Sequence, residues 1–279
     1  MSGISVEPIS GALGAEVKGV DLSHDLTNEQ FSAVRQAFLD HQVIFFRDQK
    51  LTHEQHKAFG RRFGTLNIHP YVKGMDGHPE IMQVIKEPTD KVNFGGGWHT
   101  DMSFLEEPAL GSLLYAKEVP AVGGDTLWAN QYLAYETLSS GMKEMLGRLK
   151  AIHTAKGEYS ERGHSAQKRG SMDVKVAQGD VPSYEHPVVR THPETGRKAL
   201  YVNMAFTEKF VGMTRRESTP LLQFLFDHCT QEGFTCRFRW TASTLAFWDN
   251  RCTQHFALND YQGKRRHMER VTVNGDRPF

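Results

Sequence analysis

The chain has 279 residues, and its 33 Lys plus Arg balance 33 Asp plus Glu, so the formal net charge at pH 7 is zero. A general nucleic-acid-binding protein usually carries a basic excess, and no apolar stretch approaches the ~20 residues that a membrane helix needs. We therefore predict neither nucleic acid nor a membrane as a partner. A chain of this length is expected to form one large domain, residues 1–279, with a sizeable core.

The three cysteines, Cys229, Cys236 and Cys252, form no Cys-x-x-Cys motif and no paired framework. This pattern predicts a reducing, cytoplasmic setting and argues against a zinc–thiolate site. The N-terminus lacks the basic start and apolar run of a signal peptide. The sequence leaves the oligomeric state open, a homo-oligomer included.

The first third of the chain predicts short strands and two capped helices. Residues 4–20 alternate apolar and polar side chains around glycines, which is typical of short strands. Thr27, with a glutamine three residues later, predicts a capping box at a helix start. The compact apolar run 42–46 predicts a buried strand, and a second capped helix is predicted over residues 52–64.

The remainder predicts further helices, one polar segment and many short strands. Residues 132–149 and 216–229 carry apolar residues at helical spacing. Residues 156–185 are polar and glycine-rich, which predicts a mobile lid, with a disordered insertion of no function as the alternative. Short strands are predicted at 81–85, 112–116, 126–129, 188–189, 200–202, 235–240, 245–248 and 271–273. Without an alternating βαβ rhythm, this order favours a mainly β fold with peripheral helices, a double-stranded β-helix or cupin-like jelly-roll sandwich.

Trp98-His99-Thr100-Asp101 is the most informative motif. Side chains alternate along a strand, so His99 and Asp101 would point the same way, about 6–7 Å apart along the backbone. A second histidine would complete a two-histidine, one-carboxylate triad, an arrangement that is diagnostic of non-haem Fe(II) oxygenases. Because the chain has 14 histidines, chance also supplies such pairs, and a solvated loop is the alternative.

Three other His-x-acidic pairs compete with this motif. His78-Pro79-Glu80 and His192-Pro193-Glu194 carry a central proline beside turn-like sequence, so we predict that they lie in loops. His267-Met268-Glu269 lies on a predicted strand, where alternation directs His267 and Glu269 away from the face that carries two arginines.

The C-terminal third offers partners for the motif. His255 follows the apolar strand 245–248, where it would reach a cavity mouth; a surface or packed core histidine is the alternative. Arg266 and Arg270 share one strand face, and guanidinium groups bind carboxylates and sulfonates bidentately. A solvent face, or pairing with protein carboxylates, is the alternative. Iron beside two anion receptors suggests an iron enzyme with two anionic small molecules, 2-oxoglutarate and a substrate.

These residues together resemble the taurine dioxygenase and aryloxyalkanoate dioxygenase family of Fe(II)- and 2-oxoglutarate-dependent oxygenases. The resemblance covers essentially the whole chain. It rests chiefly on His99-x-Asp101 combined with the later Trp248-Asp-Asn-Arg-Cys-Thr-Gln-His255. Other matching stretches are residues 11–17, 123–128 and 186–193 and the strand that carries the two arginines.

The resemblance implies specific roles for residues of these motifs. His99, Asp101 and His255 are expected to bind Fe(II), while Thr126 and Arg266 are expected to receive the distal carboxylate of 2-oxoglutarate. The implied reaction consumes 2-oxoglutarate and O2, hydroxylates a small organic anion, and releases succinate and CO2.

The resemblance also places Arg270 against the substrate anion, with His69, Tyr159 and Phe206 in the substrate pocket. Taurine enzymes carry an asparagine close before the Trp-His-Thr-Asp motif. Here the aligned position is Gly95, and Asn93 is the candidate replacement. Tyr159 stands where the resemblance leads us to expect phenylalanine.

These departures bear on the substrate. We favour a sulfonate or sulfate-ester-like acid over an aryloxyalkanoate or other carboxylic acid. The alternative from another class is a non-catalytic metal-binding jelly roll. Asp101 argues against a halogenase, because iron halogenases have a small residue in place of this carboxylate.

Overall fold

The computed structural model describes residues 3–160, 171–177 and 181–279. These ranges hold sixteen strands: β1 (Ser5–Pro8), β2 (Ala15–Lys18), β3 (Val43–Phe46), β4 (Gly74–Met75), β5 (His78–Lys86), β6 (Ala109–Glu118), β7 (Thr126–Asn130), β8 (Lys150–Thr154), β9 (Ser183–Pro187), β10 (Val189–Thr191), β11 (Lys198–Leu200), β12 (Thr207–Phe210), β13 (Thr235–Phe238), β14 (Leu245–Asp249), β15 (Thr253–Ala257) and β16 (Arg266–Asn274). They also hold six helices: α1 (Asn28–His41), α2 (His53–Arg61), α3 (Gln131–Glu136), α4 (Ser140–Leu146), α5 (Lys156–Tyr159) and α6 (Arg215–Cys229).

Two facing sheets form the sandwich that the sequence predicts. The larger sheet has the order β1-β2-β3-β14-β6-β16-β5-β4, and a three-stranded sheet has the order β13-β7-β15. Phe45 and Trp248 from the large sheet pack in one cluster with Trp128 and Phe238 from the small sheet, and the Phe45 and Phe238 rings stack 3.7 Å apart. The fold is the predicted mainly β jelly roll. The remaining strands form the sheets β12-β8-β9 and β10-β11.

Along each strand of the large sheet, successive side chains point to opposite faces of the sheet. On β14, Trp248 points between the sheets, whereas Phe247 points outward and stacks on Phe38 of α1 at 4.1 Å. On β16, Val271 joins the outer cluster and Met268 the inner one. The same parity brings the arginines of β16 to one face, as predicted, and the structure shows that this is the inner face.

Helix starts were predicted more accurately than helix ends. Thr27 and Thr52 both form the predicted capping boxes. However, α2 ends at Arg61 rather than at Gly64. The single helix predicted over residues 132–149 is wrong: α3 and α4 are separate, because the Ser139 side chain accepts a hydrogen bond from the Met142 amide and caps a new helix.

The strand predictions hold in position, with shifted bounds. Residues 188–189 and 200–202 only partly coincide with β10 and β11. Residues 78–80, predicted as a loop, instead begin strand β5, where Met75 of β4 pairs with His78. No helix within the described ranges is long and apolar enough to cross a membrane.

Three buried histidines should make the fold acid-sensitive. Burial lowers the pKa of His56 to about 3, of His153 to about 3 and of His186 to about 4. Because these values lie below that of an unfolded histidine (about 6.5), unfolding takes up protons, so stability is fully present above pH 6.5 and is lost as the pH falls towards 4. The free energy of unfolding should fall by up to about 1.4 kcal/mol per pH unit for each histidine.

Urea unfolding of chelator-treated protein between pH 7 and 5 measures this slope. His56→Gln should make it shallower, whereas substitution of the exposed His24 with glutamine should leave it unchanged. Equal unfolding free energies at pH 7 and pH 5 would contradict the expectation.

Candidate metal centre and substrate cavity

His99, Asp101 and His255 lie together in the structure. Their ligand atoms are all within 4.8 Å of one another. Asp101 Oδ1 lies 3.7 Å from His99 Nε2 and 3.9 Å from His255 Nε2. All three residues are buried. Two imidazole nitrogens and one carboxylate oxygen converging on one point are the donor set of a non-haem Fe(II) centre.

The local structure around this cluster differs from the prediction. His99 lies in an isolated bridge rather than in a strand: its backbone exchanges hydrogen bonds with that of His255 at 3.1 and 2.8 Å. Asp101 begins a turn. His255 lies within β15, opposite Trp128, and not beyond a strand end. The two ligand segments are thus held together by pairing between distant parts of the chain, which local sequence does not encode.

Asp101 and His255 have the protonation states in which they can bind a divalent metal. Burial alone would raise the pKa of Asp101, but the Arg270 guanidinium and the two imidazoles hold it well below its usual range. Burial, together with His99 and Arg270, holds the pKa of His255 well below its usual range. His99 Nδ1 lies 2.8 Å from the Gly97 carbonyl and donates to it, so Nε2 is the ring nitrogen that faces the metal position. The Asp101 carboxylate and the neutral His255 imidazole can therefore bind metal without first losing protons.

Thr126 and Arg266 line a narrow cavity of about 30 Å³ next to the cluster. In the part of the chain that the structure describes, the buried Nε and Nη2 of Arg266 have no hydrogen-bond partner. Thr126 Oγ1 accepts a hydrogen bond from Trp240 Nε1 at 3.0 Å, which leaves its own hydrogen free to donate. Since a buried guanidinium without a partner is unfavourable, the site fits an anion such as the distal carboxylate of 2-oxoglutarate.

Arg270 lies where the two cavities meet, because it lines both of them. Its Nη1 donates to Asp101 Oδ1 at 2.7 Å. Its Nε is buried and unpaired among the described residues. The arginine therefore joins the candidate metal site to the larger cavity and retains a donor for a second anion.

The larger cavity has a volume of about 430 Å³ and includes all four further residues predicted for the substrate pocket: His69, Asn93, Tyr159 and Phe206. Both amide hydrogens of Asn93 point to the backbone carbonyls of Ala257 and Leu258, at 2.9 and 3.2 Å. Asn93 therefore anchors its loop to the end of β15, and a contact between Asn93 and substrate stays a prediction.

Gly95, which aligns with the asparagine expected from the resemblance, has little room for a side chain. Its φ is +73°, and a Cβ there would lie 3.3 Å from His99 Cε1. A larger residue would strain the backbone and press on a predicted metal ligand.

The lid predicted over residues 156–185 is described only in part. Helix α5 supplies Tyr159 to the cavity wall, and the Ala177 amide donates to the Tyr159 carbonyl at 2.8 Å. Residues 161–170 and 178–180 lie outside the described residues. The lid stays a prediction.

A second group of ligand-type side chains, His192, Asp249 and Cys252, also lies within reach of one point. Here the carboxylate is already paired with an arginine. Arg251 Nε and Nη2 donate to the two oxygens of Asp249 at 2.8 and 2.7 Å. His192 Nε2 lies 3.0 Å from the same carboxylate. This group is a buried ion-pair network that shapes the turn before β15.

The other two competing pairs also lie apart from the candidate metal site. Glu269 of β16 lies on the face away from the arginines, as alternation predicted, and there it pairs with His53 at 3.2 Å. His78 contacts Glu54 on the protein surface at 3.3 Å.

Sequence reasoning missed Ser112 and Asn250, which contact Asp101. Ser112 Oγ donates to Asp101 Oδ2 at 2.7 Å, and Asn250 Oδ1 accepts from the Asp101 amide at 3.3 Å. The available signal was weak: a serine among the apolar residues of β6, and an asparagine that reads as a turn residue.

Comparisons with known proteins agree with this geometry. The profile of the family described as "Taurine catabolism dioxygenase TauD, TfdA family" matches residues 5–272. An alpha-ketoglutarate-dependent sulfate ester dioxygenase of Pseudomonas putida is 36% identical over 99% of this chain and 91% of its own length. An alkylsulfatase of Acinetobacter baylyi is 33% identical over 98% of this chain and 86% of its own length.

Among solved structures, a taurine dioxygenase from Burkholderia xenovorans superposes with a TM-score of 0.83 at 39% identity, over 99% of this chain and 90% of that one. The profile match, the relatives and the buried His-Asp-His cluster lead to one conclusion. This chain belongs to the taurine catabolism dioxygenase TauD, TfdA family, and it is a 2-oxoglutarate-dependent dioxygenase.

Proposed function

We propose that this enzyme hydroxylates a small sulfate ester or sulfonate at the carbon next to the sulfur-bearing group. The observation that carries the proposal is Arg270, a buried cation beside Asp101 at the inner end of a largely apolar cavity. Among the described residues that line this cavity, Arg270 is the only arginine, and no lysine is present. Relatives that are named for sulfate esters and alkyl sulfates support this choice of anion.

The proposed roles follow from the positions of the side chains. His99, Asp101 and His255 hold Fe(II), and Thr126 with Arg266 holds the far carboxylate of 2-oxoglutarate. Bound Fe(II) and 2-oxoglutarate would supply the O2-dependent oxidation of a C–H bond, with succinate and CO2 as products. Arg270 binds the substrate anion, so the adjoining carbon lies close to Asp101 and the metal. Placement of this kind is the main contribution of the protein to the reaction.

The cavity walls favour an uncharged tail on the substrate. Apolar side chains supply much of the described lining: Val92, Phe94, Trp98, Met102, Met204, Ala205 and Phe206. An alkyl chain would remove water from these surfaces, whereas an ammonium group would lose hydration there. We therefore favour an alkyl sulfate or alkyl sulfonate over taurine.

For an alkyl sulfate, hydroxylation leads directly to cleavage. At the carbon that carries the sulfate, a C–H bond breaks and a C–OH bond forms with an oxygen atom from O2. The bond from that carbon to the sulfate oxygen then breaks, and sulfate leaves with the electron pair. Loss of the hydroxyl proton gives an aldehyde. One oxygen atom of O2 enters succinate and the other enters the aldehyde.

Aryloxyalkanoates are the second candidate class. Phe94, Trp98, Tyr159 and Phe206 give the cavity an aromatic lining that suits an aryl ring. For these substrates Arg270 would bind a carboxylate instead of a sulfate.

A substrate panel separates these classes. Succinate formation is measured with hexyl sulfate, hexanesulfonate, taurine and phenoxypropionate at equal concentrations. The proposal predicts the highest kcat/KM for hexyl sulfate or hexanesulfonate. Preference for phenoxypropionate would favour the second class, and preference for taurine would contradict the argument from the apolar walls. Because Glu158 also lines the cavity, Glu158→Gln should selectively impair turnover of taurine if an ammonium group binds there.

Arg270→Lys tests the anion site. Lysine keeps the positive charge but loses the fork that contacts Asp101 and a second anion together. Loss of one charge-assisted hydrogen bond should raise the KM for hexyl sulfate by about 10- to 150-fold, which corresponds to ~1.5–3 kcal/mol. The KM for 2-oxoglutarate should change little. As a control, Arg265→Lys alters an arginine that pairs with Glu87 and Glu118 at 3.0 and 2.5 Å, and it should leave both KM values unchanged. An unaltered KM for hexyl sulfate in Arg270→Lys would contradict the assignment.

A further inference from the structure

The two carboxylate oxygens of Asp101 have different surroundings. Oδ1 faces the two histidines and accepts from Arg270 Nη1 at 2.7 Å. Oδ2 accepts instead from Ser112 Oγ at 2.7 Å. The carboxylate is therefore held by one hydrogen bond on each oxygen, and the bond to Oδ2 lies on the side away from the histidines.

Ser112 is itself held in place. It lies on β6, opposite Trp248 of β14 and Thr272 of β16, and it is fully buried. Ser112 Oγ accepts a hydrogen bond from Asn250 Nδ2 at 3.1 Å. Because this contact uses a lone pair of the hydroxyl oxygen, the hydroxyl hydrogen is directed to Asp101.

Asn250 connects this serine to both ligand segments. Its Oδ1 accepts from Trp248 Nε1 at 3.0 Å and from the Asp101 amide at 3.3 Å. The Trp248 ring in turn packs against the His255 ring, with centroids 4.6 Å apart. A series of three hydrogen bonds thus runs from Trp248 through Asn250 and Ser112 to Asp101 Oδ2. Its members are all buried, so water does not compete for these donors.

We propose that Ser112, oriented by Asn250, is a positioning residue for the metal centre: its hydroxyl holds Asp101 Oδ2 so that Oδ1 alone points at the two histidines. Without the hydroxyl, Oδ2 loses its hydrogen bond in a buried site and the carboxylate can rotate. Both changes disfavour the arrangement that binds metal. Hydrogen bonds to ligands of this kind typically contribute about 10- to 100-fold to metal affinity. The inference rests on the metal centre proposed above.

The test is the dissociation constant for Mn(II), measured by titration without 2-oxoglutarate or substrate. Ser112→Ala should raise this constant by about 10- to 100-fold. The matched control is Ser218→Ala, which removes another fully buried serine whose Oγ accepts from the Phe210 amide at 3.1 Å. Both variants should lower the Tm of the chelator-treated protein, but Ser218→Ala should bind Mn(II) like the wild type.

Wild-type affinity in Ser112→Ala would overturn the proposal, as would an equal loss of affinity in Ser218→Ala. If Ser112→Ala fails to fold, Ser112→Cys decides the question, because a thiol is close in size but donates weakly. Weakened Mn(II) binding in Ser112→Cys supports the proposal, and unchanged binding overturns it. A wild-type protein that does not bind Mn(II) would contradict the metal centre itself.

Discussion

Asp101→Asn is expected to abolish succinate formation and to weaken Mn(II) binding by more than about 100-fold, beyond the ~10- to 100-fold cost of changes to residues behind the ligands. The substitution keeps the size of the side chain but removes the negative charge of the one carboxylate in the cluster. It also leaves Arg270, buried at 2.7 Å from Oδ1, without its counter-charge. Loss of one partner of a buried ion pair typically costs ~3–5 kcal/mol, so the metal-free variant should also be less stable.

Asp276→Asn separates these two effects. Asp276 pairs at 2.8 Å with Arg190, another fully buried arginine, away from the cavities. This control should lower stability and leave Mn(II) binding unchanged. Mn(II) titration and urea unfolding of both variants measure the two quantities. If Asp101→Asn bound Mn(II) with wild-type affinity, Asp101 would not be a metal ligand.

Arg266→Met should raise the KM for 2-oxoglutarate by about 30- to 4,000-fold, the equivalent of the ~2–5 kcal/mol that truncation of a buried charge partner costs. The reason is the unpaired guanidinium: within the described ranges, Nε and Nη2 have no protein partner that would compensate for their burial. An incoming carboxylate can therefore form hydrogen bonds to both nitrogens without displacing a protein partner. Burial also lowers the pKa of Arg266, in keeping with a cation that still needs an anion.

Steady-state kinetics at saturating hexyl sulfate measure this effect. Arg265→Met alters the neighbouring, half-buried arginine, which pairs with glutamates, and should leave the KM for 2-oxoglutarate unchanged. Mn(II) binding should survive in Arg266→Met, because Arg266 does not contact the three ligands. A KM within twofold of wild type would contradict the assignment of the 2-oxoglutarate site.

The sequence carried most information where structure is local. The capping boxes at Thr27 and Thr52 use side chains three residues apart, and both helices begin where predicted. Strand parity is also local, and it placed Arg266 and Arg270 on one face of β16, which the structure shows to be the inner face. By contrast, the apolar periodicity over residues 132–149 could not reveal that Ser139 starts a new helix.

Contacts between distant segments could not be predicted from the sequence. His99 and Asp101 were expected to share a strand face, but backbone pairing of His99 with His255 and a turn at Asp101 bring them together instead. The hydrogen bond from Ser112 to Asp101 joins β6 to a turn, and no sequence motif announces it. The role of Asn93 as a loop anchor depends on the carbonyls of Ala257 and Leu258, far along the chain.

The family resemblance indicated which distant residues belong to one site, which local sequence patterns could not do. It selected His255 from 14 histidines and linked Thr126 with Arg266, and the structure brings these residues around adjoining cavities. The non-catalytic alternative disagrees with the comparisons, which show a 2-oxoglutarate-dependent dioxygenase. The substrate class could not be predicted from the sequence because it depends on the cavity walls, whose described residues come from five separate stretches of chain.

The most direct test is the stoichiometry of products from hexyl sulfate, with Fe(II), 2-oxoglutarate and O2 supplied. The proposed function predicts equal amounts of succinate and inorganic sulfate, and neither product when Fe(II) or 2-oxoglutarate is omitted. Release of sulfate without 2-oxoglutarate, or the absence of succinate with every anion of the panel while Mn(II) still binds, would contradict it.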